Sequence, residues 1–205
     1  NLGTVSAVAD QSGIRNLSIA AGTANLLHEP AMSVWELEQS LEAGRTSAQT
    51  AQTRAAQLFV GGEMGIGNTT AATALACALL DRPASDLTGP GTGLDSAGVA
   101  HKTRLIETEL RLHEPHIAEA EDRHLEALRR LGGLEIAALT GAYLACAQTG
   151  IPVLVDGYIS SVSALTAMRI NPAVTDWMLL AHASAEPGHR RIVEAIGIPP
   201  LLDLG

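Results

Sequence analysis

Residues 61–70 read Gly61-Gly62-Glu63-Met64-Gly65-Ile66-Gly67-Asn68-Thr69-Thr70, crowding glycines, one carboxylate and two threonine hydroxyls into a single short run. Apolar Leu58-Phe59-Val60 precedes it and the alanine-rich stretch Ala71 to Leu80 follows, so the spacing predicts strand, turn and helix. The first backbone N–H groups of a helix lack intrahelical acceptors, and the macrodipole is positive there. An oxyanion is therefore held at such a place without any basic side chain. Glycines let the backbone close around the ligand. A tight strand-to-helix connection whose glycines serve packing is the alternative reading.

The spelling narrows the anion. Gly62, four residues, Gly67 has the spacing of a Walker A loop, but Asn68 stands where that loop needs lysine for the outer phosphates of a nucleoside triphosphate. A dinucleotide fingerprint needs a third glycine where Thr70 stands. A single phosphate remains, held by amides with Thr69 and Thr70 hydroxyls as added donors, next to Glu63. That carboxylate reads as a general base or an acceptor for a sugar hydroxyl, or else as an anion favoured by the helix dipole. Asp156, at a strand end, reads as a partner for a ribose hydroxyl or as a turn or N-cap residue. Lys102 follows a second glycine-rich loop, Gly89 to Asp95, and reads as reaching back to the phosphate or as a solvated lysine. His182 and His189 flank the loop Ser184 to Gly188, where ligand contact and capping stay open.

His113, His116 and His124 lie among Glu114, Glu119, Glu121 and Asp122, but Pro115 interrupts helical pairing and no H-E-x-x-H pattern occurs, so a solvated charged helix is expected and no metal. The run Glu119, Glu121, Asp122, Arg123, Arg129, Arg130 reads as a water-facing surface. No G-x-S-x-G elbow points to a serine nucleophile.

Several elements must position these residues. Ser33 with Glu36 forms a capping box, predicting a helix from about Val34 toward Gln57, bent near Gly44. Asp81-Arg82-Pro83 stops the helix after the glycine turn. Val99 to Leu112 reads as a helix ended by Pro115. Ile117 to Leu131 reads as another, with Leu125, Leu128 and Leu131 on one face and Gly132-Gly133 closing it. Leu134 to Gln148 is apolar nearly all round, as a buried helix is. Ile151 to Val155 and Trp177 to Ala181 read as buried parallel strands, followed by helices Ser160 to Met168 and one reaching Ile196. Polar loops thus recur after strands and before helices, where open α/β sheets bind ligands, so Glu63, Gly91, Asp156, Ser184 and Glu186 are expected to converge.

The whole predicts one α/β domain over residues 1–205: a doubly wound, mostly parallel, Rossmann-like sheet with helices on both faces. With 46% hydrophobic but only 2% aromatic residues, its core must be built from Ala, Leu, Val and Ile. A net charge of −9 argues against nucleic acid or an anionic membrane as partner. Cys77 and Cys146, in apolar helical runs without C-x-x-C spacing, read as reduced buried thiols of a cytoplasmic protein. No apolar run has the length of a membrane span, and Asn1-Leu2-Gly3-Thr4 lacks the pattern of a signal peptide. The missing initial methionine and a last residue, Gly205, directly after Leu201-Leu202-Asp203-Leu204 suggest a fragment.

Taken together, the motifs Gly62 to Thr70, Gly91-Thr92-Gly93 with Lys102, Asp156-Gly157-Tyr158 and Ser184-Ala185-Glu186-Pro187-Gly188-His189 resemble the nicotinate-nucleotide:dimethylbenzimidazole phosphoribosyltransferase family of cobalamin biosynthesis. Gly22-Thr23 with Asn25, and Pro30-Ala31-Met32-Ser33, fit the same pattern, so the resemblance spans nearly the whole chain. It implies transfer of 5-phosphoribose from nicotinate mononucleotide to a benzimidazole base, giving α-ribazole phosphate and nicotinate, in a homodimer without metal or cofactor. It implies that Gly65, Gly67, Asn68, Thr69, Thr70, Gly91, Gly93 and Lys102 cradle the phosphate, and that Glu63, Asp156, Gly157, Ser184 and Glu186 line the ribose and nicotinate side. It also implies that the family's general base, a glutamate in a Gly-Glu-Gly segment, follows just after Gly205. Part of a small helical domain and much of the benzimidazole pocket would lie outside the chain too. Glu63 is then the carboxylate left for proton transfer, and a binding-competent but catalytically impaired fragment is the alternative.

Overall fold

A computed structural model describes residues 1–6, 8, 9 and 13–203. Leu204 and Gly205, in the terminal apolar run, lie outside the described residues. The helices are α1 (Val34–Thr53), α2 (Asn68–Leu80), α3 (Ala84–Leu87), α4 (Ser96–Glu119), α5 (Arg123–Leu131), α6 (Leu134–Thr149), α7 (Tyr158–Ile170) and α8 (Pro187–Ile196). The strands are β1 (Phe59–Gly61), β2 (Val153–Val155), β3 (Met178–His182) and β4 (Pro200–Leu202), joined in the order β1-β2-β3-β4 with every pairing parallel. The fold is α/β, as expected.

Parallel register brings the carboxyl ends of the strands to one edge: Gly61 pairs with Val155, and Val155 with Leu180. The loops after β1, β2 and β3 therefore leave the sheet side by side. Exposure alternates along the strands. Val153, Val155, Met178 and Leu180 are buried, whereas Val60, Leu179 and Leu201 remain exposed, so the described helices cover one face more fully than the other.

Helices α1 and α6 are built for close contact. On α1, Ser33 accepts from the Glu36 amide while Glu36 returns a bond to the Ser33 amide, so the expected capping box is formed. Against α1 packs α6, almost wholly apolar and buried on most sides. Their backbones approach so closely that a Cβ on Gly141 would fall 2.2 Å from the Leu41 carbonyl oxygen. Glycine at this crossing is what lets the two helices meet.

Several expectations need correction. Pro115 does not end its helix: α4 runs on to Glu119 because Pro115 is exposed while His113 and Ile117, on either side, are buried and anchor the turns around it. The next helix begins at Arg123 rather than Ile117, since the Asp122 carboxylate accepts the His124 and Leu125 amides and caps a new start. Finally, the charged run is not simply a wetted surface. Arg129 and Arg130 are largely buried and share Glu126, and the Arg129 guanidinium also donates to the Met32 carbonyl at 3.0 Å. The Arg129 side chain beside it holds the Glu126 carboxyl below its usual range.

His113 departs from the solvated helix as well. It is 1% exposed, its Nε2 donates to the Leu26 carbonyl at 2.8 Å, and burial pushes its pKa down. With Arg129 it ties residues 24–33 to α4 and α5, aided by the Ala31 and Met32 amides, which donate to the carbonyls of Arg130 and Arg129. Cys77 and Cys146 are free and buried, their thiols pushed up by burial to about 12 and about 11.

Candidate functional site

The turn after β1 is anchored at the last residue of the strand. Gly61 cannot carry a side chain, because a Cβ would meet the Tyr143 hydroxyl at 2.6 Å, and its carbonyl accepts from both Ser160 Oγ at 3.0 Å and Tyr143 at 3.3 Å. Six residues on, Gly67 caps α2 in the left-handed region at φ +77°, a conformation that glycine adopts without steric cost. Among the described residues no side chain caps this helix start. The amides at the start of α2 are thus left without the usual partner, as anion binding requires.

Two groups of side chains flank this helix start. On one flank the Asn68 carboxamide donates to Glu63 Oε2 at 2.6 Å and to Glu135 Oε1 at 3.0 Å, and the Gly65 amide also donates to Glu63 Oε2, at 2.7 Å. These residues line a cavity of about 1100 Å³, whose wall also includes Thr23, Phe59 and Gly133. Sequence alone does not single out Glu135. It enters because the Gly132-Gly133 break starts α6 opposite the turn, a juxtaposition without any local signal.

On the other flank Lys102, 5% exposed, donates from Nζ to Thr69 Oγ1 at 2.9 Å. Burial lowers the Lys102 pKa and the charge of Glu186 partly restores it. The second glycine loop closes over them: Gly91, at φ +57°, would place a Cβ 3.0 Å from Thr69 Oγ1, and a Cβ on Gly89 would fall 2.0 Å from Glu186 Oε2. Gly93, at φ +126°, follows in a turn in which its amide and that of Leu94 donate to the Pro90 carbonyl. Thr70 is half-buried in the first turn of α2.

Of the residues expected to converge, Gly91 and Glu186 gather around Lys102 and Thr69, while Glu63 stands across the helix start on the cavity wall. Asp156 and Gly157 follow β2, where Asp156 Oδ1 lies 3.9 Å from His182 Nδ1, and a Cβ on Gly157 would be 4.0 Å from His182 Nε2. Ser184 turns inward: its amide donates to His189 Nδ1 and its hydroxyl accepts from the Glu186 amide. Among the described residues no group of three or more His, Cys, Asp or Glu side chains could hold a metal ion, and no helix is long and apolar enough to cross a membrane.

A family model described as phosphoribosyltransferase matches residues 1–205. The nicotinate-nucleotide–dimethylbenzimidazole phosphoribosyltransferase of Pseudomonas aeruginosa strain PAO1 is 60% identical over all 205 residues. The chain belongs to the nicotinate-nucleotide–dimethylbenzimidazole phosphoribosyltransferase family. Within that family the protein of the same name from Pseudomonas fluorescens SBW25 is 56% identical, again over the whole chain. The crystal structure of CobT from Thermus thermophilus superposes with a TM-score of 0.92 at 39% identity, covering 99% of this chain and 60% of that one. The chain spans 57% of the length of these Pseudomonas relatives.

Proposed function

We propose that this chain is the nucleotide-binding part of an enzyme that moves 5-phosphoribose from nicotinate mononucleotide to dimethylbenzimidazole, giving α-ribazole phosphate and nicotinate. The observation that carries the reading is Lys102, a buried ammonium with one hydrogen-bond partner among the described residues, Thr69, beside the open start of α2. An ammonium has three donors, and a buried charge is costly unless it is paired. An anionic ligand oxygen at this spot relieves both demands.

In this reading the phosphate lies against the amides of the turn from Gly65 through Gly67 and Asn68 to Thr70, with Thr69, Gly91, Gly93 and Lys102 completing the cradle. Glu63, Asp156, Gly157, Ser184 and Glu186 face the ribose and nicotinate. A benzimidazole ring nitrogen attacks the anomeric carbon from the face opposite nicotinate. The new C–N bond forms as the old one breaks, nicotinate leaves with the bonding electrons, and configuration inverts. Nearby carboxylates stabilise the cation-like sugar. The benzimidazole N–H proton passes to a base. Glu63 fits that task because its Oε2 is tied to Gly65 and Asn68, which leaves Oε1 for the cavity.

An NTPase reading loses support here, since Asn68, at the place of the P-loop lysine, is spent between two carboxylates. We extend the proposal to a cytoplasmic homodimer working on small molecules alone, without a resident metal or cofactor; sedimentation at micromolar concentration tests the dimer. Incubating the chain with both substrates and following α-ribazole phosphate by mass spectrometry tests the activity. Product formation is expected. Nucleotide binding without product would favour a binding-competent but catalytically impaired piece of the enzyme, and no nucleotide binding would overturn the proposal.

A further inference from the structure

We infer that His189 is a positioning residue: its imidazole latches the loop between β3 and α8 onto α7, and so sets where Glu186 stands beside Lys102. The inference rests on the nucleotide-binding reading above and extends it to a residue that touches no ligand.

His189 lies in the first turn of α8 and is 2% exposed. The Ser184 N–H donates to its Nδ1 at 3.2 Å. A backbone N–H can only donate, so Nδ1 is unprotonated and the neutral ring carries its proton on Nε2, which donates to Ser161 Oγ at 3.2 Å. This direction excludes a role for His189 as a base toward Ser161. What the ring does is join two successive strand–loop–helix units, because Ser161 belongs to α7, after β2, and Ser184 belongs to the loop after β3.

The loop is then built outward from the ring. Ser184 Oγ accepts the Glu186 amide at 3.3 Å, and the Glu186 carbonyl accepts the His189 amide at 3.0 Å, so Glu186 is held from both sides. Its carboxylate lies against the α-carbon of Gly89, and its charge opposes the loss of the Lys102 proton. The contacts run from His189 through Ser184 to Glu186, whose charge acts on Lys102 through space. The other titratable groups around the ring are His182, at the end of β3 with Asp156 beyond it, and Tyr158 of α7, whose hydroxyl lies near Gly188. Protonation would turn Nδ1 into a donor facing the Ser184 N–H, so the latch holds only with a neutral ring.

Substitutions that keep one end of the ring at a time test the inference. His189→Asn places Oδ1 where Nδ1 accepts; His189→Gln places its amide where Nε2 donates and supplies no acceptor to Ser184. Hydrogen exchange of the Ser184 amide is expected to accelerate about tenfold in His189→Gln and His189→Ala, the loss of one buried hydrogen bond, and to stay near wild type in His189→Asn. The dissociation constant for nicotinate mononucleotide, measured by calorimetry, should rise about tenfold in the first two variants and recover most of that loss in the third. Equal Ser184 exchange in the Asn and Gln variants would overturn the latch. Unchanged affinity in His189→Gln, with wild-type binding intact, would overturn its effect on the site alone, whereas a wild-type chain that binds no nucleotide would overturn the functional reading as well. Should His189→Gln not fold, Ser161→Ala removes the other end of the latch. Faster exchange of the Ser184 loop is then expected, and unchanged exchange would be decisive against the inference.

Discussion

Lys102 and Glu109 lie two turns apart on the buried stripe of α4, Lys102-Ile106-Glu109-His113-Ile117, and burial moves both groups toward their neutral forms. Lys102 is lowered by desolvation, so nicotinate mononucleotide affinity should fall as pH rises through a value below the ordinary lysine range near 10.4. Calorimetry across pH 7–10 checks this, with Lys102→Ala flat over the range. That substitution should cost about 1.5–3 kcal/mol of binding, and Thr69→Ala about 1 kcal/mol or less. Glu109 is raised by desolvation, and its Oε2 is buried without a partner among the described residues. Its folded pKa lies above the unfolded one, so its stability contribution is complete below the unfolded value near 4.3 and is lost as pH rises through the folded value. Glu109→Gln should therefore stabilise the fold at pH 8 by ~1 kcal/mol and change little at pH 4 in urea titrations. The buried histidines act with opposite slope. His113 and His189 are lowered, so their contribution is present above the unfolded value near 6.5 and is lost as pH falls through their folded values.

At the scale of elements, the α1–α6 crossing carries much of the burden. Gly141→Ala would drive a methyl into the Leu41 carbonyl, with about 1–3 kcal/mol or more lost to overpacking, read as a lower urea midpoint with unchanged slope. Ser33→Ala opens the capping box of α1 and should cost ~1 kcal/mol. The elements legible in advance were those whose signals are local: the strand–glycine–helix unit around Gly67, the capping box at Ser33, and the α6 run closed by Gly150 in the left-handed region. Pro115 misled because a proline's cost to its own turn is also local, whereas the burial of His113 and Ile117 that outweighs it comes from other elements. The same holds for Arg129 and Arg130, packed where Met32, a partner of Arg129, arrives from far away along the chain.

For the whole molecule, a net charge of −9 is compatible with the proposed anion site, because its donors would be a buried lysine and backbone amides rather than a basic surface. Nicotinate mononucleotide at 100 times its dissociation constant should add about 2.7 kcal/mol of stability and raise the thermal midpoint by roughly 5–10 °C. Magnesium ATP should leave the midpoint unchanged. Scanning calorimetry with each ligand checks both.

The order of residues alone determined that a glycine turn would close on a helix start, that Ala, Leu, Val and Ile would form the core, and that polar loops would leave the strands at one edge. Those features depend on backbone freedom and short-range periodicity. Only the tertiary structure decided that Asn68 would be shared by Glu63 and Glu135, that Lys102 would be buried against Thr69, and that His189 would bridge Ser161 and Ser184. Such pairings join side chains from separate elements, and their geometry exists only once helices have packed on the sheet and set the distances between them.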